Sequence, residues 1–196
     1  VAALIQTLSP ERPVVLLGHS MGGGIAALAA ARYPQLIARV GLLNAAGVRF
    51  ADNAFGLAVL AGENPFAVTD TASLQRYVNA VFHRDQAKPW IPWPASRALI
   101  AQRRRDAAFE QSVLDSIGRS DDAMLPGDAA TAIGQPTLLL WGRQDAIIDP
   151  SAMALYAARI PQAQQVLLED CGHMSLVEHP RDVAVAVAAL MAPAFP

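Results

Sequence analysis

The first candidate for a catalytic residue is Ser20, which lies in the Gly-x-Ser-x-Gly motif Gly18-His19-Ser20-Met21-Gly22. At average residue usage, roughly 6% of chains of this length would contain such a motif by chance. The position of the motif supports a functional role, because the motif lies between the apolar run Val14–Leu17 and an Ala-rich segment. A sharp strand-to-helix turn exposes a serine hydroxyl and needs small residues beside it, here Gly18 and Gly22. We therefore predict that Ser20 is a nucleophile; the alternative is a tight turn with an incidental serine.

The helix expected after Ser20 also predicts an oxyanion site. Its N-terminal dipole is directed at the serine, where negative charge would develop during attack on a carbonyl group. The backbone N–H of Met21 is placed to donate a hydrogen bond to that oxygen. Met21 is thus the predicted oxyanion-hole residue.

A serine hydroxyl is a weak nucleophile, so it needs a base, and the base needs an acid to orient it. His173 follows the apolar run Val166–Leu168, at the carboxyl edge where open α/β sheets bind ligands, and it is the predicted base. The other three histidines have ordinary interpretations. His19 is a filler residue beside the nucleophile, His83 lies at the end of a helix, and His179 precedes a proline that opens a helix.

Asp145 is the predicted acid, because it follows the apolar run Thr137–Trp141 and gives the chain order Ser, Asp, His. Asp149 is the alternative, although Asp149-Pro150-Ser151 is typical of a helix start. Other carboxylates nearby have simpler interpretations. Asp170 is too near His173 in sequence to reach back to its ring easily. Glu169 is interpreted as a solvated carboxylate, and Glu178 as a charge at the start of a helix.

These residues need strands that end at one edge of a sheet. The four apolar runs Val14–Leu17, Val40–Leu43, Thr137–Trp141 and Val166–Leu168 are predicted to be buried strands. Helices are predicted at the chain start, over Ile25–Tyr33, from Pro150, and from Pro180 to about Leu190. Continuous apolar strands that alternate with helices indicate an α/β fold with a parallel sheet covered on both faces.

The segment 48–134 has a different character, because helical periodicity replaces strand-like runs. It is predicted to be a helical cap inserted into a core formed by residues 1–47 and 135–196. Pro89, Pro92 and Pro94, with Trp90 and Trp93 between them, suggest a stiff aromatic elbow between two cap helices. Several residues could either line an acyl pocket or simply pack the core: Met21, Phe50, Phe55, Phe66, Trp90 and Trp93.

Composition restricts the partners. The 196 residues are 53% hydrophobic, carry a formal charge of −2 and contain one cysteine, Cys171. They show no basic footprint for nucleic acid and no transmembrane segment, so a small molecule is the expected partner. No cofactor or metal is implied, and Cys171 is expected to be a small buried residue. Arg103-Arg104-Arg105 is interpreted as a wetted helix face, with an anion clamp as the alternative. The oligomeric state and the compartment stay open.

The sequence also resembles the capped bacterial lipase and esterase branch of the α/β-hydrolases, akin to monoacylglycerol lipases. The resemblance rests on the motif at Ser20, Asn44-Ala45-Ala46-Gly47-Val48, Gly62-Glu63-Asn64-Pro65-Phe66, Trp141-Gly142-Arg143-Gln144-Asp145 and Gly172-His173. It implies a Ser20, Asp145, His173 triad, Met21 as one oxyanion amide, and acylglycerols or similar carboxylic esters as substrates.

The same family carries strands and a His-Gly loop before the serine motif, and these have no counterpart in this sequence. We therefore expect a partial fold that lacks one oxyanion donor, a loss that typically costs about 10²–10³ in rate. The sequence leaves open whether the isolated chain is active. Two alternatives to an esterase are a hydrolase of carbon–carbon bonds in ring-cleavage diketones and a non-catalytic binding protein with the same fold.

Overall fold

The computed structural model describes residues 1–192, which form a parallel sheet with helices on both faces. Its strands are β1 (Val14–His19), β2 (Ile37–Leu43), β3 (Thr137–Gly142) and β4 (Gln164–Leu168), and they lie side by side in chain order. Each strand pairs in parallel with the next, so their carboxyl ends share one edge of the sheet. The predicted fold class is confirmed.

Nine α-helices connect and cover the strands within residues 1–192. They are α1 (Ala2–Leu8), α2 (Met21–Arg32), α3 (Ala54–Leu60), α4 (Thr71–Val81), α5 (Trp93–Arg119), α6 (Leu125–Ala129), α7 (Ser151–Ala157), α8 (Ser175–Glu178) and α9 (Pro180–Met191). Short 3₁₀ turns lie at Pro34–Leu36, Asp85–Ala87, Asp121–Met124 and Ala130–Ala132. None of the helices in this described part is both long enough and apolar enough to cross a membrane.

The core is divided between the two faces of the sheet, because successive strand residues point to opposite sides. On one face, Leu139 and Trp141 of β3 belong to a cluster that includes the alanines of α2 and Tyr156 of α7. On the other face, Leu138 and Leu140 pack with residues of α9, among them Val183 and Leu190. Helices therefore cover both faces of the central strands.

The first strand is less buried than its sequence predicts. Val15 and Leu17 are 38% and 43% exposed, whereas the residues of β3 are all buried. The reason is position: β1 pairs only with β2, and α9 packs over β2, β3 and β4. The expectation of a strand buried on both sides is wrong for β1, which is an edge strand with an alternating burial pattern.

Helix α2 begins at Met21, four residues before the predicted start at Ile25. The glycines after Ser20 had indicated a turn, but they are helical and let α2 approach the neighbouring chain closely. A Cβ atom on Gly18 would lie 2.1 Å from the Gly22 carbonyl oxygen, and one on Gly23 would lie 2.5 Å from the Cβ of Ala45. A Cβ on Gly22 would meet nothing within 4 Å. The need for a small residue therefore falls on Gly18 and Gly23, not on Gly22.

This difference gives a stability prediction. We expect Gly23→Ala to lower the free energy of unfolding by about 2–3 kcal/mol, because the added methyl group overpacks the contact with Ala45. Gly22→Ala is the matched control and is expected to be neutral or stabilising by up to about 1 kcal/mol, since alanine has the higher helix propensity. Urea unfolding of both variants measures the difference; equal stabilities would contradict the packing argument.

The segment between β2 and β3 contains α3 to α6 and no strand among its residues, all of which the structure describes. Helix α6 packs on α2, with Pro126 against Gly24, while α3 and α4 contact α5. The aromatic elbow is shorter than predicted, because Trp93 and Pro94 already form the first turn of α5.

Candidate active site

The carboxyl ends of the four strands bring four polar residues together. Ser20 follows β1, Asn44 follows β2, Asp145 follows the end of β3, and His173 lies beyond β4. Asn44, Asp145 and His173 are almost completely buried. Parallel strands place such residues at one edge, which is where open α/β sheets bind ligands.

Ser20 lies in a strained backbone conformation at the junction of β1 and α2, with φ of 55° and ψ of −125°. Positive φ is uncommon for residues other than glycine and is often found at functional sites. The conformation is held from both sides: the Ser20 N–H donates to the carbonyl of Leu43 at 2.9 Å. In turn, the Ser20 carbonyl accepts from the N–H groups of Gly23 and Ala46.

The side chains of Ser20, His173 and Asp145 form a continuous chain of hydrogen bonds. The Nε2 of His173 lies 2.9 Å from the Oγ of Ser20, and its Nδ1 lies 2.8 Å from the Oδ2 of Asp145. Because a carboxylate only accepts, the Nδ1 of His173 carries the proton and its N–H donates a hydrogen bond to Asp145. The lone pair of Nε2 is then free to accept the hydroxyl proton of Ser20. The structure thus brings together the three residues that the sequence singled out.

Asp145 is fixed by donors on both carboxylate oxygens. Its Oδ1 accepts from the N–H groups of Ile147 and Ile148 at 2.9 and 3.0 Å. Its Oδ2 accepts from Asn44 Nδ2 at 2.8 Å as well as from His173. Hydrogen bonds to the ionised form favour a carboxylate in a buried site. The geometry therefore suits a charged group that orients His173.

Asn44 is a site residue that sequence reasoning did not single out. Its backbone has a φ of 47°, which asparagine tolerates better than most residues. Its amide donates to Asp145, and its Oδ1 accepts from the hydroxyl of Ser175 at 2.7 Å. The sequence signal that could have identified Asn44 is a polar residue directly after a predicted buried strand. Asn44 connects Asp145 to α8.

His19 is more than a filler beside the nucleophile, so that interpretation is wrong. Its Nε2 lies 2.7 Å from the backbone carbonyl of His173, and the two rings lie 4.9 Å apart between centroids. Burial lowers the pKa of His19 below its ordinary value of 6.5. His19 is therefore neutral, donates from Nε2, and holds the loop that carries His173.

The lowered pKa predicts a pH dependence of stability. Between 6.5 and the lower pKa of folded His19, the unfolded chain binds a proton that the folded chain does not, so stability falls as pH decreases. We expect His19→Gln, which keeps a donor but cannot titrate, to lose less stability than the wild type on acidification from about pH 7.5 to about pH 5.5. Urea unfolding at the two pH values measures this.

His179 provides a control of opposite sign. Its hydrogen bond to the carbonyl of Asp170 raises the pKa of His179, so its contribution is present at low pH and is lost as pH rises. His179→Gln should therefore steepen the loss of stability on acidification, whereas His19→Gln should reduce it. The same direction of change in both variants would contradict these assignments.

Glu178 is a second residue that the sequence misplaced. It lies in the single turn of the four-residue helix α8, and it is buried rather than a solvated charge. Its carboxylate accepts from the N–H groups of Gly172, His83 and Arg84 at 2.8–3.0 Å. Glu178 thus ties the loop before His173 to the segment that follows α4.

The remaining candidate side chains have partners other than His173. Asp149 accepts from the N–H of Ser151 at 2.9 Å, as expected at a helix start. Asp170 lies within 3.3–3.4 Å of His83 and Arg84, and Glu169 forms an exposed ion pair with Arg143. Burial raises the pKa of the Cys171 thiol to about 12, so Cys171 is an inert buried residue.

An apolar cavity opens beside Ser20 and Met21. Its volume, including the space at its open mouth, is about 760 Å³. It is lined mainly by hydrophobic side chains, among them Phe50, Phe55, Val59, Phe66, Leu114 and Ile117. Arg49 is also at its wall, but it forms an ion pair with Asp52. Trp90 and Trp93 do not line this cavity and are 86% and 71% exposed, so the pocket alternative is wrong for these two residues.

A second, more open cavity of about 770 Å³ shares Met21, Phe66, Leu114 and Ile117 with the first. Arg103 lies in its wall, where it contacts Glu110 at 3.2 Å and the ring of Tyr77 at 5.1 Å. The expectation that all three adjacent arginines form a wetted face is therefore wrong for Arg103.

The backbone N–H of Met21, the predicted oxyanion donor, is the first of α2 and makes no hydrogen bond within residues 1–192. A helix N-terminus leaves such N–H groups unpaired and available to an anion. In the same range, no group of histidine, cysteine, aspartate and glutamate side chains could hold a metal ion.

Comparison with known proteins places the chain in a family. Residues 1–180 match the family model described as alpha/beta hydrolase fold. This chain therefore belongs to the α/β-hydrolase family.

The chain is 29% identical over 168 residues to Lipase 3 of Moraxella sp. (strain TA144), covering 85% of this chain and 52% of that protein. It is 26% identical over 187 residues to a monoacylglycerol lipase of Mus musculus, covering 93% and 56%. A crystal structure of a membrane phospholipase A, a bacterial virulence factor, superposes with a TM-score of 0.84 at 30% identity, covering 97% and 60%. The chain thus spans about half the length of the curated relatives it matches.

Proposed function

We propose that this protein is a serine hydrolase that cleaves carboxylic esters through an acyl-enzyme on Ser20. The observation that carries the proposal is the hydrogen-bonded chain from Ser20 through His173 to Asp145. Strain at Ser20 and the unpaired N–H of Met21 support it. Two relatives named as lipases support the ester class.

In the proposed mechanism, the Oγ of Ser20 attacks the ester carbonyl carbon while its proton moves to the Nε2 of His173. The N–H of Met21 donates to the negative oxygen that forms. Collapse of the intermediate breaks the bond to the alcohol, which leaves with the proton from His173. Water then attacks the acyl-enzyme, again with His173 as base, and releases the acid and free Ser20.

The cavity supports an apolar acyl group as the part of the substrate next to Ser20. Its walls are mainly hydrophobic, and its cation, Arg49, is neutralised by Asp52. A ring-cleavage diketone is anionic and would need an unpaired cation at this place, so the cavity favours an ester. We also retain the proposal that residues 48–134 act as a cap, since α3 and α5 supply cavity residues above the serine.

The proposal is tested with p-nitrophenyl esters of graded acyl length, measured beside a ring-cleavage diketone. We expect turnover of the esters and little of the diketone. Turnover of the diketone alone would make the carbon–carbon hydrolase the correct function.

A fluorophosphonate probe separates an enzyme from a non-catalytic binding protein. We expect the probe to label the wild type but not Ser20→Ala, because the probe reacts with an activated serine. Equal labelling of both proteins, or none of the wild type, would overturn the assignment of Ser20.

A further inference from the structure

The cap segment carries exposed tryptophans and arginines that the proposed chemistry does not use. Trp90 and Trp93 are 86% and 71% exposed, although tryptophan is usually well buried. Ile91 lies between them and packs against the core, which fixes the backbone that carries both. Pro89 and Pro92 stiffen the same stretch.

Helix α5 continues this surface with positive charge. Arg97, Arg104 and Arg105 are exposed and form no ion pair with any residue in 1–192. With about 3.6 residues per turn, Trp93, Arg97 and Arg104 lie on one stripe, and Arg105 lies about 100° further round the helix, on its exposed side. Asp106 and Glu110 fall on the other side of the helix. The first four turns of this face therefore carry only positive charge.

We propose that Trp90, Trp93, Arg97, Arg104 and Arg105 form a docking face for an anionic lipid surface. Tryptophan prefers the interface between water and lipid, because its ring is apolar and its N–H is polar. Arginines beside such rings pair with lipid phosphate groups and are attracted by a negative surface potential. The combination of tryptophan and uncompensated arginine on one rigid face matches that partner.

The position of the face relative to the cavities favours lipid over an acidic protein or a nucleic acid. Phe109 is 71% exposed, lies one turn beyond Arg105, and forms part of the wall of the second cavity. That cavity shares four wall residues with the cavity beside Ser20. Phe109 thus places the docking face next to a mainly apolar cavity that adjoins the one beside Ser20, an arrangement that suits a lipid better than a nucleic acid.

The test uses Ser20→Ala protein, so that lipid is not hydrolysed and the result does not depend on the proposed activity. Binding is measured by sedimentation with vesicles of phosphatidylcholine containing one quarter phosphatidylglycerol, and with pure phosphatidylcholine. We expect preferential binding to the anionic vesicles that weakens with salt. No binding to either vesicle would overturn the proposal, as would salt-dependent binding to RNA or DNA alone.

Two sets of substitutions locate the face. Replacing Arg97, Arg104 and Arg105 by Gln should weaken anionic-vesicle binding about 100-fold, from about fivefold for each arginine. The matched control replaces the exposed arginines Arg12, Arg76 and Arg181 by Gln, which changes the net charge equally and should have little effect. Equal weakening in both triple variants would show that net charge, not this face, drives binding.

Tryptophan fluorescence reports insertion directly. The chain has three tryptophans, and the third, Trp141, is fully buried. Brominated lipids should therefore quench only Trp90 and Trp93, and quenching should disappear in a double Trp90→Phe, Trp93→Phe variant. Bound protein that shows no quenching in the wild type would contradict docking through these residues. Circular dichroism of every variant verifies that the fold is retained.

Discussion

Asp145→Asn is expected to lower the kcat for ester hydrolysis by about 10⁴-fold without unfolding the protein. The physical reason is that all four groups around the Asp145 carboxylate are donors: Ile147 N–H, Ile148 N–H, Asn44 Nδ2 and His173 Nδ1. An asparagine must turn its own NH₂ group toward some of them. Turned toward His173, it favours the tautomer that protonates Nε2, which can no longer accept the Ser20 proton.

Asp149→Asn is the matched control for this prediction. Asp149 is the alternative acid in the sequence, but it accepts from the N–H of Ser151 at the start of α7, a hydrogen bond that an asparagine oxygen can also accept. We expect its kcat to stay within about twofold of the wild type, an effect under 1 kcal/mol. A large loss in Asp149→Asn with little loss in Asp145→Asn would reverse the assignment.

Ser20→Ala is expected to have the largest effect, a fall in kcat of about 10⁶-fold. Alanine occupies the positive-φ position at a similar backbone cost, so the fold should be retained. Ser112→Ala, on the exposed side of α5, is the control and should keep full activity. Steady-state kinetics with a p-nitrophenyl ester measures both variants, and more than about 1% residual activity in Ser20→Ala would contradict the proposed nucleophile.

Sequence reasoning was most successful where chemistry is tied to strand ends. Ser20, Asp145 and His173 each follow an apolar run, and the structure places the three side chains within hydrogen-bonding distance. Their catalytic roles remain predictions. The strands themselves were predictable, because buried parallel strands have continuous apolar sequences.

The supporting residues were not predictable in the same way. His19, Asn44 and Glu178 act through contacts with residues distant in sequence, and neither spacing nor composition reports such contacts. The exposure of individual side chains could not be predicted from the sequence either. Phe66 and Trp90 are both aromatic residues of the segment 48–134, yet Phe66 lines the cavity and Trp90 faces solvent. Which glycine must stay small also depended on tertiary packing, at Gly23 against Ala45.

The buried carboxylate of Glu178 has a mechanical consequence. It joins the loop before His173 to His83 and Arg84, and the N–H of Met174 adds a further bond to the carbonyl of Val81. Lifting this end of α4 would break those bonds and displace His173. The C-terminal end of α4 is therefore tied to the loop that carries His173, so a movement of this end of the segment 48–134 is coupled to the position of His173.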